Sequence, residues 1–136
     1  MLAIDSNVLV RHLVQDHPAQ SREASELLAE AEASGDRVFL SPLLLAEVFW
    51  VLSRAYRFPK ADLLRAFDAV LHADLFVVEH KDQALAALDA YRQGRAGFAD
   101  YLLTEIAWAA GCDRFLTFDK ALAGGDRGRI SLVRGR

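Results

Sequence analysis

Apolar residues fall in short, near-continuous runs at residues 2–4, 38–40, 75–78, 114–117 and 130–133, and these runs predict five strands. Runs that are apolar at successive positions, instead of alternating, suit strands covered on both faces, as in a parallel sheet flanked by helices. Helical spacing fills the intervals. Residues 8–14 place Val8, Leu9, Leu13 and Val14 together, and residues 19–33 are rich in Ala, Glu and Leu. A third helix starts at Ser41, a side-chain cap, with Pro42 in the first helical position, and runs to about residue 56, where Phe58-Pro59 breaks it. Further helices are predicted over residues 60–72, 82–93 and 98–110, the last ended by Gly111. Strands and helices in this order predict an α/β fold with a mainly parallel sheet and right-handed crossovers. Such folds bind ligands beyond the carboxyl ends of their strands.

At 136 residues and 53% hydrophobic, the chain can build one core, so residues 1–136 are read as a single domain. The prolines and glycines are scattered and mark neither linker nor repeat. The start, Met-Leu-Ala-Ile-Asp, has no basic leader, and no apolar run nears the roughly 20 residues that span a bilayer, so a soluble, cytoplasmic protein without a membrane role is expected. The single cysteine, Cys112, has no disulfide partner and is expected as a buried packing thiol after the last helix. His12, His17, His72 and His80 share no metal-ligand spacing and are expected at or near the surface. The glycine-rich stretch from Gly124 to Gly128 follows no strand and opens no long helix; a turn suffices.

Four acids carry the chemistry. Asp5 closes the first strand and Asp119 follows the fourth, both at carboxyl ends; taken alone, each also reads as a cap, with Asp5 or Ser6 capping the first helix. Glu47 has Leu43, Trp50 and Val51 as its helical neighbours, an apolar stripe on which a carboxylate requires a basic partner such as Arg54, a metal, or a proton. Asp100 lies in the first turn of its helix, where the dipole favours negative charge, and its neighbours Leu103 and Ala107 put it at the border of the inward face. Four carboxylates above one sheet edge would repel one another. Hard divalent cations, Mg²⁺ or Mn²⁺, are the natural compensation, and a metal-held water near a phosphate suits phosphodiester hydrolysis.

These residues resemble the PIN-domain nucleases, and among them the VapC-type ribonuclease toxins. The resemblance rests on Ile4-Asp5-Ser6-Asn7-Val8-Leu9, on Ser41-Pro42 through Leu45-Ala46-Glu47-Val48, on Phe98-Ala99-Asp100, and on Gly111-Cys112 leading to Leu116-Thr117-Phe118-Asp119, covering nearly the whole chain. It implies a five-stranded sheet in the order 3-2-1-4-5. It also implies that Asp5, Glu47, Asp100 and Asp119 form the catalytic acidic cluster, with Asp5 and Asp100 as the most direct metal ligands. Asn7 and Thr117 match accessory positions: Asn7 would orient an acid or water, and Thr117 would support Asp119 or the attacking water. Ser6 stands where the family more often has Thr and keeps the hydroxyl. The implied activity is Mg²⁺- or Mn²⁺-dependent endoribonuclease cleavage of RNA leaving a 5′-phosphate. The implied partners are a cognate antitoxin protein and a second copy in a homodimer, with Phe49, Trp50, Tyr56 and Phe58 as candidates for core or interface.

A net charge of −3 argues against grip on RNA by bulk positive potential. Setting the four acids aside turns −3 into +1, and Arg54, Arg57 and Lys60, or Arg127, Arg129, Arg134 and Arg136, could then touch phosphates or simply be solvated. Three rivals remain. A haloacid-dehalogenase-like phosphatase needs a second aspartate where Asn7 stands, and a receiver module needs one where the third strand leads into Glu79-His80. A catalytically silent PIN-like binding module is the third.

Overall fold

The predicted helices and strands all form in a computed structural model that describes residues 1–134; Arg136, of the C-terminal basic group, lies outside them. In chain order they are β1 (Leu2–Ala3), α1 (Ser6–Val14), α2 (Pro18–Ala33), β2 (Val38–Leu40), α3 (Pro42–Trp50), α4 (Lys60–His72), β3 (Phe76–Val78), α5 (Lys81–Gln93), α6 (Phe98–Ala109), β4 (Phe115–Thr117) and β5 (Ile130–Leu132). None of the helices among the described residues is long and apolar enough to cross a membrane. The chain divides into two compact units, Met1–Lys81 and a second beginning at Asp82.

In the first unit β2 lies between β1 and β3, parallel to both, with Val38 opposite both Leu2 and Phe76. This central place explains its run of apolar residues: Val38 and Leu40 are fully buried. In the second unit β4 and β5 pair in parallel, Phe115 opposite Ile130 and Thr117 opposite Leu132. The described residues therefore carry one ladder of three strands and one of two, where a single five-stranded sheet in the order 3-2-1-4-5 was expected. The length of β1 is the physical reason. Only two residues are extended before Asp5 turns the chain into α1, and the Leu2 N–H is already donated to the Arg37 carbonyl at 2.7 Å. So short a strand has few groups to offer a second neighbour.

Helix α3 starts as its sequence dictates, the Ser41 hydroxyl accepting the Leu44 N–H at 3.1 Å with Pro42 behind it. It does not continue as an α-helix to residue 56. Val51–Ala55 form a π-helical turn, in which the Tyr56 N–H reaches back five residues to the Val51 carbonyl at 3.1 Å. The Ser53 hydroxyl, donating to the Phe49 carbonyl at 2.6 Å, competes for the backbone acceptors that a regular turn would use. Beneath it Leu52 stays fully buried, and Phe49 meets Phe67 of α4 edge-on at 6.2 Å between centroids.

In the second unit α5 buries Ala84, Ala87, Leu88 and Tyr91, a stripe at helical spacing. Phe98 at the start of α6 is fully buried. The hydroxyl of Tyr101, itself buried, accepts the Ala96 N–H at 3.3 Å and so pins the loop before α6. Strand β4 is not covered on both faces as its apolar run suggested. Phe115 packs edge-on against Trp108 of α6, whereas Leu116, on the opposite face, is 54% exposed and Phe118 beyond it is 81% exposed. Cys112 is exposed, not buried: α6 ends at Ala109 and Gly111, at φ 95°, turns the chain away from the helix before Cys112.

The histidines lie at or near the surface as expected, His12 alone being half-buried. Its Nδ1 lies 2.9 Å from the Ser25 hydroxyl, and burial pushes its pKa below the ordinary value. A depressed histidine contributes stability that is present above the unfolded value of about 6.5 and is lost as pH falls through the folded value, because the unfolded chain binds the proton first. Urea unfolding at stepped pH should show that loss below neutrality, and His12→Gln should remove this component. A variant that follows the wild-type pH dependence throughout would exclude His12 as its source.

Candidate active site

Asp5 takes the N-cap position of α1 with extended backbone (φ −90°, ψ 175°), and its Oδ1 accepts the Val8 N–H at 3.2 Å. Of the two possible caps, Asp5 is the one used; Ser6 is the first helical residue, half-buried, and Asn7 beside it is exposed. In the second unit, Asp100 reaches back with Oδ2 to accept the Gly97 N–H at 3.1 Å at the start of α6. Asp119 follows β4: its N–H is donated to the Thr117 hydroxyl at 2.9 Å, and its Oδ1 accepts the Ala121 N–H at 2.8 Å. Thr117 thus holds the backbone of Asp119 in place.

The three aspartates share one feature. Each uses one carboxylate oxygen on a main-chain N–H, which fixes the side chain, and the other oxygen has no hydrogen-bond partner among the described residues. Each is fixed by local chain geometry, so the sequence around it suffices to hold it.

Glu47 differs from its sequence-based expectation. The side of α3 that faces the core is formed by Leu44, Leu45, Val48 and Phe49, and the stripe through Leu43 (66% exposed), Glu47 and Trp50 (38% exposed) looks outward. Because α3 is apolar almost all round, its sequence neighbours could not tell the inner stripe from the outer. Glu47 is exposed and has no ion-pair partner among the described residues. Arg54 instead lies over the Trp50 ring, 5.6 Å from its centroid.

Asp5 and Glu47 belong to the first unit, Asp100 and Asp119 to the second. Within neither unit do three described His, Cys, Asp or Glu side chains form a group able to hold a metal ion. The donor chemistry itself, oxygen-only carboxylates with a free oxygen on each aspartate, matches what Mg²⁺ and Mn²⁺ accept.

A cleft of about 360 Å³ opens beside Asp5 between α1 and α2, lined among others by Asn7, Arg11, Gln20 and Glu23. Sequence reasoning passed over Arg11. The available signal was its spacing: four residues after Asn7, it shares a helix face with it. The Arg11 Nε donates to Gln20 Oε1 at 2.8 Å and its Nη1 to the Tyr56 hydroxyl at 3.1 Å, with Asp16 at 3.7 Å.

Two comparisons bear on this arrangement. Residues 2–127 match the family profile described as the PIN domain, a span that contains all four acids. A VapC ribonuclease of Aquifex aeolicus (strain VF5) is 22% identical to the chain over 120 residues, covering 88% of each protein.

Proposed function

The chain belongs to the PIN-domain family, and from that premise we propose that it is a divalent-metal-dependent endoribonuclease, the toxin of a toxin–antitoxin pair acting in the cytoplasm. Both units then serve one PIN domain. The observation that carries the reading is the state of the three aspartates, each fixed through one oxygen and open at the other. The likeness to the Aquifex VapC ribonuclease supports RNA as the substrate, and a cognate antitoxin is the partner that the resemblance to VapC-type toxins implies. A homodimer is the proposed assembly.

Asp5 and Asp100 would be the direct ligands of Mg²⁺ or Mn²⁺, with Asp119 and Glu47 completing the acidic set. The bound ion would supply Lewis acidity toward the phosphodiester and a water of lowered pKa. The chain's own residues do the rest. Thr117 holds the Asp119 backbone, so the open Asp119 oxygen can accept a hydrogen bond from the attacking water. Asn7, exposed next to Asp5, can orient an acid or a water through its amide, and Ser6 adds a hydroxyl at the same helix start. Glu47, exposed on α3, can join the acidic set without first breaking an ion pair.

The rival reading is a catalytically silent binding module. A single experiment separates the two. Purified protein freed of antitoxin is incubated with total RNA and Mg²⁺ or Mn²⁺, with an EDTA arm and calorimetry for the metal. Discrete fragments with 5′-phosphate ends, absent in EDTA, are the expected result. Neither metal binding nor cleavage would leave the binding module as the answer.

A further inference from the structure

The cleft between α1 and α2 holds Arg11, whose one ion pair, with Asp16 at 3.7 Å, is long. Other arginines of the protein sit against carboxylates one helical turn away, as Arg65 does with Asp62 and Arg129 with Asp126. The two hydrogen-bond partners of Arg11, Gln20 and Tyr56, are neutral, and Asp16 stands off at 3.7 Å. They come from α2 and from the chain just past the π-helical turn, so the guanidinium plane is fixed from two directions. Such an oriented fork, opposed only by a long ion pair, suits a phosphate group.

Its place adds direction. Arg11 lies six residues beyond Asp5, about 9 Å along the helix axis, and helical side chains lean toward the N-terminus, which here is the Asp5 end. At roughly 3.4 Å of rise per nucleotide, that distance separates phosphates about two or three steps apart along a stacked strand. The cleft also carries the carboxylate of Glu23, exposed and without an ion-pair partner among the described residues, which opposes an anion and limits affinity.

We propose that this cleft is a phosphate subsite for single-stranded RNA, in which Arg11 binds a phosphate flanking the one that is cut. The inference rests on the nuclease reading for its substrate but not for its test. Binding of a short fluorescein-labelled single-stranded RNA is followed by anisotropy over a salt series, with Ca²⁺ replacing Mg²⁺ and gels confirming intact RNA. Arg11→Met should weaken binding by about tenfold and lower the slope of log affinity against log salt by about 0.7, one single-strand phosphate contact. Arg11→Lys should keep the slope. Glu23→Gln, at an exposed position, should tighten binding severalfold; this arm stands even if Arg11→Met fails to fold.

A folded Arg11→Met with wild-type affinity and slope overturns the subsite. So does loss of antitoxin binding in Arg11→Met with RNA binding intact. The two readings fail separately. Arg11-dependent RNA binding without cleavage in Mg²⁺ or Mn²⁺ would refute the nuclease and keep the subsite. Cleavage by a protein whose RNA binding ignores Arg11 would do the reverse.

Discussion

Asp5→Asn should abolish metal-dependent RNA cleavage while leaving the fold nearly as stable as the wild type. The two halves of this result have different causes. Asparagine caps a helix about as well as aspartate, so the hydrogen bond from the Val8 N–H survives, and the cost is limited to the charge–dipole interaction, about 0.3–1 kcal/mol. The lost negative oxygen, however, is the donor a hard cation requires. Activity should fall by more than about 100-fold, beyond what loss of an outer partner of a metal site costs. Asp5→Ala gives the contrast, equally inactive and destabilised by about a further 1 kcal/mol because the cap is gone. Cleavage rates read beside urea unfolding curves decide the matter. An Asp5→Asn protein that cuts RNA at the wild-type rate would reduce Asp5 to a helix cap.

Gly94→Ala should be the most damaging conservative change in the second unit. A Cβ at this position would stand 1.9 Å from the Tyr101 hydroxyl oxygen, 2.7 Å from the ring carbon bearing it and 3.0 Å from the Ala90 carbonyl. Tyr101 is only 8% exposed, so its ring cannot swing into solvent, and moving it would break the hydrogen bond from the Ala96 N–H. Overpacking of this kind costs about 1–3 kcal/mol and a lost hydrogen bond about 0.5–1.5 kcal/mol, so a loss of roughly 2–4 kcal/mol is expected. Tyr101→Phe removes the clashing oxygen and should recover part of it, a favourable coupling in the double-mutant cycle. Independent, additive effects of the two substitutions would show that the strain lies elsewhere, and a Gly94→Ala as stable as wild type would show that there is none.

Much of the architecture was legible in advance because it is local. The Ser41-Pro42 start, the break at Phe58-Pro59 and the stop at Gly111 are each set by one residue's hydrogen bonding or backbone freedom; α3 and α4 begin and α6 ends within about a residue of the expected place, although α3 gives way to the π-helical turn after Trp50. The same holds for three of the four acids. Asp5, Asp100 and Asp119 are each oriented by an N–H two or three residues away, so their sequence context and their geometry are nearly the same information. The Thr117 hydroxyl, two residues before Asp119, belongs with them.

The sequence by itself determined the element order, the α/β class, the capped aspartates and the family, because these follow from hydrogen bonds and hydrophobic spacing within a few residues of chain. Only the tertiary structure decided which stripe of α3 meets the core. On a helix apolar nearly all round, burial is a competition among equivalent faces that neighbouring elements resolve, and Glu47 came out on the exposed side. It also decided the surroundings of Arg11. Gln20 is nine residues away and Tyr56 forty-five, and no local rule joins groups at those separations; the pairing of α1 with α2 and the π-helical turn after α3 bring them to one guanidinium.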